Sequence, residues 1–325
     1  MMLYHNTQSM VRSPDGDTSF FDIVAGVLQG DTLAPYLFVI CLDYVLRTSM
    51  DKNKELGFTL KKWQNRRHPA ETITDIYYAD DLALLSDTIN DANDLLHHLE
   101  RAAKGIGLNV NVKKTEYISY NQQGNIKSLA GKDIKSVEEF TYLGSSITSS
   151  QKDIDIRVGK AWGAIKNLNS IWKSTLPINL KRDFFRATVE TVLLYGSTTW
   201  TLTKKLEKKI NGTYTRMLRV CLNILWNQHP TKKLLYGNLP PVTETIKERR
   251  LRFAGHCHRS KEELAGITLL WQPMHGYTTV GRPYRTYIDQ LTDDTGHLLE
   301  ELPTAMQNRD GWKKMVTRIR ASSTG

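Results

Sequence analysis

Ile73-Thr74-Asp75-Ile76-Tyr77-Tyr78-Ala79-Asp80-Asp81-Leu82-Ala83-Leu84-Leu85 is the stretch whose reading decides the fold. Two short apolar runs of β character flank a small polar break, a pattern that predicts a hairpin. Its tip carries two adjacent carboxylates, Asp80 and Asp81, expected to lie close to buried surface. Like charges at that spacing repel, and burial raises their cost further. A divalent cation removes both problems, because hard cations prefer carboxylate oxygens. Paired aspartates on a hairpin suit a two-metal phosphoryl-transfer site. Asp-Asp is also common in plain turns, whose geometry Asp tolerates, so the neighbouring segments must decide.

Upstream lies Gly26-Val27-Leu28-Gln29-Gly30-Asp31-Thr32-Leu33-Ala34-Pro35. Gly26 and Gly30 bracket a loop that either lets backbone approach a ligand or is an ordinary turn. Pro35 suits the start of a helix. Leu37, Cys41, Tyr44, Val45 and Thr48 then share one helical face, expected to be core. Downstream, Asp91, Asp94, Leu95, Leu96, Leu99, Ala102 and Ala103 predict a helix with acidic residues in its first turn, ended by Gly105 or Gly107. Gly107-Leu108-Asn109-Val110-Asn111-Val112-Lys113-Lys114-Thr115-Glu116 and Phe140-Thr141-Tyr142-Leu143-Gly144 follow.

In this order around Tyr78-Ala79-Asp80-Asp81, these segments resemble the reverse transcriptase of non-LTR (LINE-type) retrotransposons, over residues 20 to 145. Leu193-Leu194-Tyr195-Gly196, Gly255-His256 and Gly281-Arg282-Pro283 resemble the sequence that follows this polymerase in such elements. The resemblance implies an α+β fold. It consists of a partial right-hand polymerase palm at 1–150 (antiparallel sheet with helices), a helical thumb at 151–226 and a mainly helical basic region at 227–325. It implies that Asp80 and Asp81 bind Mg²⁺, two ions in the complete family site. Gln29 and Gly30 would contact template and nascent base pair, and Tyr78 would lie near the primer end. A core tyrosine is the simpler reading of Tyr78, and the two roles are compatible. Lys114 would protonate the leaving pyrophosphate or merely neutralise phosphate. Phe140, Tyr142, Leu143 and Gly144 would form the primer grip, though a plain strand and turn would look the same. The implied partners are an RNA template, a DNA primer and dNTPs.

The family site uses three carboxylates on two strands, and the chain begins too late to contain the first. Asp15 and Asp17 read as a turn in Ser13-Pro14-Asp15-Gly16-Asp17, and Asp22 lies only a few residues before Gly26. The palm sheet would then have an uncovered edge. The expectation is a fragment, truncated gene model or degenerate copy, with activity of this chain left open. The rival reading is a catalytically incomplete, nucleic-acid-binding fragment or relic of the same family.

Composition sets the outer bounds. A length of 325 suggests two or three domains, and 40% apolar residues suffice for a core. No apolar run of about 18 residues exists, so no membrane span is expected, and residues 1 to 20 show no secretory signal. Cys41, Cys221 and Cys257 are scattered, which suits a reducing compartment. The resemblance implies nuclear action. Net charge is +10, unevenly placed: residues 1–150 hold 15 Lys and Arg against 19 Asp and Glu, and residues 151–325 hold 29 against 15. The basic half is the expected contact for a phosphate backbone.

In that half, Ile154, Val158, Ala161, Ile165, Leu168 and Trp172 recur at helical spacing, surrounded by Lys152, Arg157, Lys160, Lys166 and Lys173. Further helices are predicted at 180–195, carrying Lys181, Arg182 and Arg186, and at 206–222. Trp162, Trp172 and Trp200 read as core rather than base-stacking platforms. Lys247, Arg249, Arg250 and Arg252 form a basic cluster that reads equally as phosphate contact or solvated face. His256-Cys257-His258 lacks a second ligand pair, so zinc is disfavoured. A last helix is expected at 305–319.

Overall fold

The computed structural model describes residues 7–23, 26, 30–225, 227–260, 262–273 and 285–321. It divides into two compact units, Met1–Glu138 and Glu139–Gly325. Helices combine with small, mostly antiparallel two-stranded sheets, an α+β architecture.

The first unit opens with nested short strands. β1 (Gln8–Ser9) pairs with β4 (Phe21–Asp22), and β2 (Arg12–Ser13) pairs with β3 (Gly16–Asp17) around the predicted turn. Helix α1 (Ala34–Ser49) follows, with proline in its first turn. β5 (Phe58–Lys61) and β6 (Glu71–Ile73) form one hairpin, and β7 (Asp75–Tyr78) and β8 (Asp81–Leu84) form the next. Helix α2 (Ile89–Gly105) starts at Thr88, whose hydroxyl accepts from the Asp91 amide at 3.1 Å. Asp91 adds a negative charge near the positive end of the helix dipole. The helix stops at Gly105, and Gly107 turns the chain at φ +82°. β9 (Glu116–Tyr117) and β10 (Lys135–Ser136) pair in parallel.

The core of this unit is modest. Val45, Leu46 and Met50 of and beside α1 meet Leu95, Leu99 and Ala103 of α2. Leu96, Ile126 and Ile134 form a smaller cluster on the other side of α2. The expected α1 core face is therefore displaced. Val45 is buried, but Cys41 and Tyr44 are exposed, and partly buried Leu42 packs inward instead. The reason is that α1 is apolar on two sides. Tyr36, Val39, Ile40 and Tyr44 make a second apolar face that remains exposed.

The second unit begins with the hairpin β11 (Thr141–Tyr142) and β12 (Ser145–Ser146). Helices α3 (Ser150–Asn167), α4 (Asn169–Lys173), α5 (Ile178–Phe185), α6 (Thr191–Leu193) and α7 (Lys204–Cys221) follow. The predicted 180–195 helix is α5 and α6 joined by a π turn at Arg186–Glu190. Next come α8 (Lys232–Tyr236), α9 (Val242–Arg259), α10 (Leu264–Thr268), α11 (Tyr287–Thr295), α12 (Leu302–Gln307) and α13 (Arg309–Ala321). The expected last helix is thus broken in two at Asn308, whose side chain accepts from the Gly311 amide at 3.0 Å.

A large core runs through α3 to α9, with Ile154, Phe185, Leu193, Ile210, Met217 and Ile246 fully buried. Trp172 and Trp200 are buried and Trp162, partly buried, packs against the same core, as the sequence predicts. A second cluster joins Leu251 and Ala254 of α9 to Leu291, Leu302, Met306, Trp312 and Val316. At Gly255, a methyl group would meet the Trp312 indole nitrogen at 2.5 Å, so glycine lets α13 approach α9. No described helix is long and apolar enough to cross a membrane.

Candidate metal and nucleic-acid site

Tyr78 pairs directly with Asp81, leaving Ala79 and Asp80 as a two-residue turn. Ala79 adopts φ +52°, a left-handed conformation that disfavours any side chain. That strained residue lies immediately before Asp80. Both carboxylates are exposed. The expectation that they lie against buried surface is corrected: the strands twist Leu82 and Leu84 toward α2, while the tip reaches into solvent. Mutual repulsion, not desolvation, is what a cation would relieve. Tyr78 is 67% exposed, so its core alternative is also set aside.

Beside the hairpin, Val39, Ile40, Leu42 and Asp43 of α1 and Tyr77 and Ala79 of the hairpin line a shallow pocket of about 250 Å³. The outer apolar face of α1 thus forms one wall of a pocket that reaches Ala79, the residue before Asp80. Asp80 and Asp81 offer the hard oxygen donors that Mg²⁺ takes, and the solvent-facing tip leaves room for the water and phosphate oxygens it also needs. The pair therefore fits such an ion as part of a donor set. Among the described residues, no group of three or more His, Cys, Asp or Glu is poised to hold a metal.

The other expected residues fall at several places. Gly30 has φ +89° and Gly26 φ +96°, and a methyl group at either would meet nothing within 4 Å. Their backbone faces open space in a conformation suited to glycine. Gln29 lies outside the described residues. Lys114 is exposed in a turn before β9, where its amide donates to the Asn111 carbonyl at 2.9 Å.

Phe140 to Gly144 form one arm and the tip of the β11–β12 hairpin, in the second unit. Leu143 (φ +47°) and Gly144 (φ +77°) are both left-handed, as a tight hairpin turn requires. Several side chains meet this tip. The Tyr195 hydroxyl donates to the Leu143 carbonyl at 2.9 Å. Arg157 donates to the Gly144 carbonyl, and to the Ser145 hydroxyl at 3.2 Å. The Ser146 amide donates to Asp153 Oδ1 at 3.0 Å. Sequence reasoning missed Asp153 and Arg157 as a pair. Their signal was the i, i+4 acid-to-arginine spacing beside the core stripe of α3.

Several basic residues expected on outer faces are internal instead. Arg157 is buried against Asp153. Lys181 is buried and donates to the Trp172 and Ser174 carbonyls at 2.6 and 2.8 Å. Arg182 reaches the carbonyls of Leu234 and Leu235, and burial lowers its affinity for a proton. Arg250, 1% exposed, pairs with Asp294. These cations satisfy carbonyl and carboxylate groups within the fold, and so do not meet phosphate. Lys160, Lys166, Arg186, Lys205, Lys208 and Arg216 do remain exposed. Cys257 is buried between exposed His256 and partly buried His258, so the three side chains diverge.

Residues 3–147 match the reverse transcriptase (RNA-dependent DNA polymerase) family. The match spans both hairpins and Lys114, and it ends just before α3. The chain is also 24% identical over 272 residues to an uncharacterized transposon-derived protein of Caenorhabditis elegans, covering 77% of this chain and 98% of that protein. Reverse-transcriptase-like sequence is thus present over residues 3–147 of this chain, and the relative is one described as transposon-derived. Asp153, Arg157, Tyr195 and Gly196, which meet the second hairpin, all lie beyond the family match.

Proposed function

We propose that this chain is the reverse transcriptase region of a non-LTR retrotransposon. Its palm would lie in residues 1–150, a thumb in 151–226 and a basic helical region in 227–325. The supporting observation is the Asp80-Asp81 pair at the tip of a tight hairpin, within the reverse transcriptase match. The reaction is RNA-templated transfer of dNMP to a primer 3′-hydroxyl. Asp80 and Asp81 would hold Mg²⁺, which when bound would activate the hydroxyl and neutralise charge on the phosphate. Gln29 and Gly30 position template, Tyr78 lies near the primer end, and Lys114 gives a proton to departing pyrophosphate. Priming at a chromosomal nick would place this action in the nucleus.

A second reading, nucleic-acid binding without catalysis, is favoured by the charge asymmetry and by the exposed basic face of α7. Primer extension on poly(rA)–oligo(dT) with Mg²⁺, run beside filter binding, separates the two. Extension that disappears in Asp80→Asn with binding retained supports the polymerase. Extension that survives Asp80→Asn removes Asp80 from the metal site. Salt-sensitive binding without extension in either protein leaves the binder.

A further inference from the structure

The β11–β12 turn is more tightly held than a plain hairpin requires. Its two left-handed residues project Leu143 and Gly144 to the surface. The carbonyl of each accepts a hydrogen bond from outside the hairpin, one from Tyr195 and one from Arg157. Arg157 is fixed in turn. It is buried, lies 3.8 Å from Asp153, and its guanidinium sits 4.2 Å from the Tyr195 ring centre. Asp153 is itself fixed by the Trp200 indole N–H at 2.8 Å. Gly196 completes the fit, because a methyl group there would meet the Ser145 hydroxyl at 2.5 Å. Chain segments 143–146, 153–157 and 195–200 thus close on one turn. A strained tip persists only where its surroundings determine it, and a ligand-contacting turn gains from such support.

We propose that Asp153, Arg157 and Tyr195 are positioning residues that hold the Leu143–Gly144 turn in the shape that receives a primer terminus. This rests on the reading of that hairpin as the primer contact. The Tyr195 hydroxyl and Arg157 guanidinium fix both tip carbonyls, which orients the exposed side of the turn. Duplex affinity comes from exposed lysines elsewhere, so the clamp governs placement of the end rather than overall binding.

The test uses the full chain and a primer–template duplex bearing 2-aminopurine either at the primer 3′ end or at an internal position. The variants are Tyr195→Phe, which removes one hydroxyl from a half-exposed ring, and Arg157→Lys. Thermal melting verifies folding. Hydrogen exchange of the 141–147 peptide reports on the turn without nucleic acid. The expected result is faster exchange in both variants, unchanged duplex affinity, and loss of the fluorescence change at the 3′ end but not at the internal position. Folded variants that keep the end-specific signal overturn the proposal. Wild-type protein that binds duplex with no end-specific signal removes the primer reading itself, and the positioning role with it, whatever the exchange data show about the clamp.

Discussion

The Trp200 indole N–H donates to Asp153 Oδ2 at 2.8 Å, and both residues are buried. This bond ties α3 to the chain leaving α6. The other oxygen of the same carboxylate receives the Ser146 amide. Asp153→Ala would leave an indole donor, an amide and the buried Arg157 charge without their partner. Breaking one side of a buried ion pair costs about 3–5 kcal/mol, and urea unfolding should show a loss of that order. Asp153→Asn keeps an acceptor and should lose less.

Glycines of the second unit should respond with opposite signs. Gly196 has φ +72° and no room for a methyl beside Ser145. Gly196→Ala should cost about 1–3 kcal/mol. Gly159 lies inside α3 with nothing within 4 Å of a methyl. Gly159→Ala should gain roughly 0.5–1 kcal/mol from helix propensity. Midpoints of thermal unfolding for the two variants should move in opposite directions.

The three thiols should differ in reactivity. Cys41 is exposed, whereas Cys221 and Cys257 are buried. Burial pushes the Cys221 thiol up to about 12, so almost none is thiolate near neutrality. Iodoacetamide at neutral pH should label Cys41 first, and Cys221 only in denaturant, as peptide mass spectrometry would show. Early labelling of Cys221 would contradict its place in the core.

Acid should weaken the start of α11. The Thr286 amide donates to the Asp289 carboxylate at 2.8 Å, and this bond, with help from the Thr286 hydroxyl, holds Asp289 below the usual carboxylate range. A carboxylate depressed on folding adds stability above its unfolded value, and that contribution is lost as pH falls through its folded value. Asp289→Asn should therefore be less stable than wild type at neutral pH. The gap should close in acid, measured by denaturant unfolding over a pH series.

How much was legible beforehand follows from what each pattern encodes. The hairpin around Ala79 and Asp80 was readable because β runs on both sides share one short break. The α2 boundaries were readable from Asp91, Asp94 and the glycines, which act locally, whereas the Thr88 cap emerged only from the structure. The helical stripe of α3 was readable because apolar spacing reports a buried face. The choice of face on α1 was not, since exposed Val39 and Ile40 are as apolar as inward-packed Leu42 and Val45, and only packing against α2 selects between them. Nor did composition reveal that Arg157, Lys181, Arg182 and Arg250 turn inward, because a charge count carries no direction. At the candidate site, the Asp80-Asp81 turn was legible while its exposure was not. The residues holding the Leu143 turn lie in two other segments, 153–157 and 195–200, and their meeting is a tertiary fact.

The outer face of α1 has a consequence for how this molecule behaves in a test tube. Tyr36, Val39, Ile40 and Tyr44 stand in water, and Val39 and Ile40 share a pocket wall with Tyr77. Water over such a surface is released whenever two of them meet, and contiguous exposed apolar area drives that encounter. The first 150 residues are only weakly charged for their length, and so offer little repulsion against it. The solubility ceiling of the protein would then be set by the same surface that walls the pocket reaching Ala79, and mild detergent or low concentration would be the gentlest conditions in which to look for chemistry there.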